Sequence, residues 1–77
     1  MLFRISEDNF QNIANMWNQY LKAQGFDIEF SPSDVAYMMI LMKVARLATN
    51  PTHLDSITDV AGYAACAADC AAASQTK

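Results

Sequence analysis

Ser31-Pro32-Ser33-Asp34-Val35-Ala36-Tyr37-Met38-Met39-Ile40-Leu41-Met42-Lys43-Val44-Ala45-Arg46-Leu47-Ala48 is the stretch whose reading decides the fold. Its opening is a helix-start signal. Ser31 serves as N-cap, Pro32 takes the first helical position, and Asp34 stands three residues after the cap. Asn50-Pro51 ends it, because proline disfavours a helical conformation in the residue before it. The spacing therefore predicts a helix over 32–48. Val35, Met38, Met39, Met42 and Leu47 share roughly one side, and Tyr37, Ile40, Leu41 and Val44 cover most of the rest. A helix that is apolar nearly all round has to be buried nearly all round. Two further helices cannot surround it, so a second copy of the chain is expected to.

The flanking segments are helical too. Glu7 and Asp8 suit the positive end of a helix dipole, with Ser6 as a loose start. Phe10, Ile13, Met16, Trp17, Tyr20 and Leu21 recur at helical spacing, and Gly25 supplies a C-cap. The pattern predicts a helix over 7–23, followed by a short connector, Phe26 to Phe30. On the other side, Thr52 with Asp55 three residues later repeats the capping box and predicts a helix over 53–73. Its inner positions are read as small: Ala61, Gly62, Ala64, Ala65, Ala68, Ala71 and Ala72. Glycine inside a helix is unfavourable by about 1 kcal/mol relative to alanine, so a close neighbour is expected at Gly62. The tail from Ser74 to Lys77 is expected to fray. The fold class is all-α: a single three-helix domain over 1–77, with the second and third helices as an antiparallel hairpin, packed as a homodimeric bundle.

Composition narrows the function. A chain of 77 residues, 53% of them hydrophobic, forms one small domain of marginal stability on its own. Its two cysteines, Cys66 and Cys70, are four apart on a helix, where their Cβ vectors do not meet in disulfide geometry. Free thiols fit a reducing cytoplasm. The N-terminus turns acidic at once, which is not the pattern of a signal peptide. The longest uncharged apolar run, Val35 to Met42, is far short of the roughly 20 residues of a membrane span. With five basic residues and a net charge of −3, no basic stripe exists for neutralising phosphates, so direct nucleic-acid binding is not expected.

One constellation carries chemistry. The turn of the hairpin is centred near Pro51, so Arg46 lies opposite Asp55 and Lys43 opposite Asp59. Lys43 and Arg46, three apart, share a face of one helix, and Asp55 and Asp59, four apart, share a face of the other. The first reading is two cross-helix salt bridges that set the register of the hairpin. The second is a ligand site in which Lys43 and Arg46 hold a phosphate, Asp55 and Asp59 hold Mg²⁺ or a ribose, and Tyr63 stands nearby. Two carboxylates are few for a metal-dependent hydrolase. His53, the only histidine, reads as a solvated surface group, and no serine or cysteine is placed by the sequence as its nucleophile partner. Cys66 and Cys70 share a face but lack a second zinc-spaced pair. Trp17, Tyr20, Tyr37, Met38, Met39 and Met42 are the candidate interface residues, as aromatics and methionines adapt well to contact surfaces.

Asn9-Phe10-Gln11-Asn12-Ile13-Ala14-Asn15-Met16-Trp17, the Lys43-Val44-Ala45-Arg46-Leu47 segment and Asp59-Val60-Ala61-Gly62-Tyr63-Ala64-Ala65 together resemble a family of small all-helical phage and prophage proteins of unknown function. The likeness spans roughly Asn9 to Asp69. It implies a phage-encoded accessory protein in the cytoplasm of an infected or lysogenic bacterium. Such a protein acts by binding a host protein, such as a component of antiviral defence like a CRISPR effector. The Lys/Arg helix followed by an Asp-bearing helix is more faintly similar to phage nucleotide-modification-associated domains and MazG-like all-α nucleotide pyrophosphatases. Those bind Mg²⁺ through Glu-x-x-Glu helices, and the first helix here has no such motif. That fainter likeness implies, as the alternative, a nucleotide-binding module or a degenerate pyrophosphatase. Under the leading reading no cofactor is expected.

Overall fold

In a computed structural model, the chain forms three α-helices in sequence: α1 Leu2–Ala23, α2 Pro32–Thr49 and α3 Leu54–Gln75. The structure describes residues 2–75, with side-chain surroundings from Asn9 to Ala73. Helices α2 and α3 form a tightly packed hairpin, and α1 lies against both with less contact.

The ends of the helices follow local chemistry. Gly25 takes φ of 92°, a left-handed conformation that glycine adopts without Cβ strain. From there the Phe26 N–H reaches the Leu21 carbonyl at 2.9 Å and the Gly25 N–H the Lys22 carbonyl at 3.0 Å. These are the two bonds of a Schellman motif. At Ser31 the expected capping box is complete. The Asp34 N–H donates to Ser31 Oγ at 3.2 Å and the Ser31 N–H donates to the Asp34 carboxylate at 2.9 Å. Helix α2 closes on the Arg46 carbonyl, which accepts from the Asn50 N–H and the Thr49 hydroxyl, each at 3.1 Å.

Several helix boundaries differ from expectation. Helix α1 begins at Leu2, five residues before Glu7. Nothing between Leu2 and Asp8 breaks a helix, and a serine inside one is only mildly unfavourable, so Ser6 does not stop it. Helix α3 begins at Leu54, and His53, not Thr52, satisfies its first turn. At the far end α3 runs through Ser74 and Gln75. The remainder of the expected fraying tail, Thr76 and Lys77, lies outside the described residues.

The core is thin. Its buried apolar members among the described residues are Phe10, Ala14, Val35, Ala36, Ala67 and Cys70, with Ile13, Trp17, Phe30, Met39, Tyr63 and Cys66 packed around them. Phe10 is the one large side chain in the buried set. Two ring contacts extend it: Phe10 to Tyr63 at 6.1 Å, and Trp17 to Phe30 edge-on at 5.9 Å. Met16 and Tyr20, read from sequence as part of the apolar stripe of α1, are instead 73% and 65% exposed, and Ala14 takes the buried position.

On α3 the small residues mostly face outward. Ala61, Gly62, Ala64, Ala68 and Ala72 are exposed, while Ser56, Ala67 and Cys70 are buried. The expected close neighbour at Gly62 is absent: a Cβ built there meets nothing within 4 Å. Gly62→Ala therefore removes the backbone entropy penalty with no steric cost. It should stabilise the chain by about 0.5–1 kcal/mol, read as a higher denaturant midpoint at unchanged slope.

Candidate functional site

Of the expected four-charge cluster, the hairpin assembles one half. Lys43 Nζ lies 2.9 Å from the Asp59 carboxylate, with the lysine side chain 18% exposed and the aspartate 43%. It is the one ion pair among the described residues. Arg46 and Asp55, expected to face each other, form no ion pair, and both are exposed. Position along the hairpin explains the split. Lys43 and Asp59 are two helical turns from Pro51, where α2 and α3 are already in contact. Asp55 lies in the first turn of α3 and Arg46 in the last turn of α2, beside the loop. Tyr63 is drawn into the core against Phe10, away from a phosphate role.

His53 is half-buried and holds the start of α3. Its Nδ1 accepts from the Ser56 N–H at 3.2 Å and lies 2.8 Å from Ser56 Oγ. The bond from the Ser56 N–H uses Nδ1 as an acceptor, and the direction of the hydroxyl contact follows from the ring's tautomer. The sequence reading placed His53 as a solvated group without a serine partner. The structure supplies the partner, but Ser56 is 0% exposed. A hydroxyl closed to solvent cannot reach a substrate, so this serine–histidine contact is a helix cap. The spacing His-x-x-Ser was the available signal, as a side chain at the N-cap meets the N3 residue.

Cys66 and Cys70 are free thiols, half-buried and buried respectively, within the core cluster. No group of three or more metal-ligating side chains occurs among the described residues.

The candidate interface residues divide. Trp17 is half-buried against Phe30, and Met39 packs on the core. Tyr20, Tyr37, Met38 and Met42 stay outside, at 65%, 50%, 40% and 51% exposure. Leu41 and Val44, which sequence reading did not single out as interface residues, join them at 66% and 49%. Tyr37, Leu41, Val44 and Ala48 recur at i, i+4, i+7 and i+11, so they occupy one face of α2. That face carries no charge. Leu54 and Ile57 at the start of α3 are likewise exposed.

A second concavity lies where α1 meets the connector and the start of α2. Its walls include Gln11, Asn15, Asn18, Glu29, Phe30 and Pro32, and its volume is about 390 Å³. Asn18 fastens the connector to α1 with both atoms of its amide: Oδ1 accepts from the Phe30 N–H at 2.6 Å and Nδ2 donates to the Phe30 carbonyl at 3.1 Å. No pattern of composition or periodicity announces this clamp.

The described residues form a small three-helix domain, and the comparisons give its family. A family profile described as a domain of unknown function (DUF6378) matches residues 5–71. The Gene 55 protein of Mycobacterium phage L5 is 44% identical over 59 residues, and that of Mycobacterium phage D29 is 48% identical over 59 residues. The chain belongs to the DUF6378 family. Those stretches are 77% of this chain but 35% and 36% of the phage proteins, so the chain spans about a third of the length of the relatives it matches. No solved structure matches.

The ion pair gives a quantitative check. Asp59→Asn should lower stability by about 0.5–1 kcal/mol, because a partly exposed pair is screened. The loss should shrink in high salt. Arg46→Gln should leave the denaturant midpoint unchanged. His53→Ala should cost about 1 kcal/mol by uncapping α3.

Proposed function

We propose that this chain is a phage-encoded accessory protein that acts by binding, working as a homodimer joined through the outer face of α2. The observation that carries this reading is the uncharged surface of Tyr37, Met38, Leu41, Met42 and Val44, each at least 40% exposed in the single chain. A charge-free face of this kind suits its own copy, since a two-fold axis sets the same patch against itself and like charges there would repel.

Its target on this reading is a host protein, a component of antiviral defence such as a CRISPR effector, met in the bacterial cytoplasm. Relatives in two mycobacteriophages and two free thiols support the setting. No helix among the described residues is long and apolar enough to cross a membrane. The nucleotide-binding alternative has Lys43 already committed to Asp59 and Tyr63 to the core, which leaves Arg46 alone for a phosphate.

Light scattering and sedimentation should give a dimer mass, and the melting temperature should rise with protein concentration. Leu41→Glu should yield a folded monomer, since Leu41 contributes little to the core of the single chain. A monomer mass for the unaltered chain at high concentration would overturn the dimer. A thermal-shift series with nucleotides, cyclic dinucleotides and Mg²⁺ should show no stabilisation. Phage plating on a host carrying an active CRISPR system should rise when the chain is expressed, and unchanged plating would remove that target.

A further inference from the structure

The cleft between α1 and the connector has features of a built recognition site, and nothing in the dimer reading uses it. Its volume of about 390 Å³ falls in the range of small-ligand sites. Hydrogen bonds tie down part of its wall. Gln11 Nε2 donates to Asn15 Oδ1 at 3.0 Å, one helical turn apart, and holds both amides in register along α1. Asn18, on the same face, is committed at both atoms to the Phe30 backbone. The Phe30 ring is in turn set edge-on against Trp17, and Ser31 is locked by its capping box to Asp34. Preorganised walls reduce the entropy lost on binding.

What remains available in the cleft identifies its ligand. Glu29 is the one charged side chain in the lining, and its carboxylate forms no ion pair among the described residues. Gln11 Oε1 is a further acceptor, since that amide's recorded bond uses its nitrogen. The lining is mostly polar, and Phe30 supplies its one aromatic ring. One negative charge, a neutral acceptor and the edge of one aromatic ring complement a planar cation with several N–H donors. We propose that this cleft binds a guanidinium, presented as an arginine side chain on a segment of a partner protein. The carboxylate accepts two parallel N–H bonds from the fork, and the guanidinium plane lies against Phe30. An ammonium fits less well, because it is a compact, strongly hydrated point charge that does not stack.

The probe is N-acetyl-argininamide titrated into the ¹⁵N-labelled full chain, with side-chain amides observed by NMR. Saturable shifts are expected at the amide groups of Gln11, Asn15 and Asn18 and at the backbone of Glu29 and Phe30. The neutral isostere N-acetyl-citrullinamide should produce none. Glu29→Gln, at an exposed position that the fold does not depend on, should weaken the arginine response at least about tenfold. The Leu41→Glu variant should respond like the unaltered chain, so the cleft and the α2 face succeed or fail separately. No saturable shift, an equal response to citrulline, or an undiminished response in Glu29→Gln would overturn the site. An equal response to N-acetyl-lysinamide would overturn the guanidinium assignment.

Discussion

Apolar surface on α2 exceeds what three short helices can cover, and this mismatch organises the molecule. A helix has one side that two neighbours in a bundle can shelter. Val35, Ala36 and Met39 occupy that side, and Tyr37, Leu41, Val44 and Ala48 recur on the other. A larger core would not change this, because the excess lies on the far side of the helix from α1 and α3. Fully sheltering a side chain such as Leu41 or Val44 is worth about 1.5–3 kcal/mol. Placed together and uncharged, such side chains form the surface on which the proposed dimer rests.

The thin core places the burden of specifying the fold on the ends of its helices. Gly25 reverses the chain through its left-handed backbone, Ser31 and Asp34 start α2, the Arg46 carbonyl closes it and His53 starts α3. Each device satisfies orphan backbone groups that packing alone leaves open. Lys43 and Asp59 add a pairing between the two helices of the hairpin. A single partly exposed ion pair adds little stability.

The legibility of the sequence followed the strength of local signals. The all-α class, the three helices, the Gly25 cap and the Ser31-Pro32-Ser33-Asp34 start were readable because each rests on chemistry within four or five residues. The face of α3 was not. Alanine is small enough to sit on either side of a helix, so Ala61 and Ala67 look alike in sequence although one is exposed and the other buried. The four-charge cluster was half right for a geometric reason. Mirror symmetry about Pro51 holds where the helices touch, at Lys43 and Asp59, and fails at the loop, where Arg46 and Asp55 are released to solvent. His53 was misread because histidine is an unusual N-cap, although its ring nitrogen accepts as a serine oxygen does. The Asn18 clamp on Phe30 spans twelve residues and involves backbone atoms, for which sequence patterns hold no signal.

The two outward surfaces differ in the way that self-recognition and recognition of another molecule should differ. A face that meets its own copy across a two-fold axis gains from being apolar and loses from any charge near the axis. The outer side of α2 carries none between Asp34 and Arg46, since Lys43 turns toward Asp59. A site for a different partner needs features that discriminate, which burial of hydrocarbon does not supply. Fixed amides and one unpaired carboxylate do, because a wrong ligand leaves them desolvated without partners. Placing Glu29 on a connector that Asn18 pins to α1 gives a loop residue the positional precision of a helix. The same amide that shapes the fold by tying Phe30 to α1 thereby shapes the cleft, so the fold and the proposed site share one side chain.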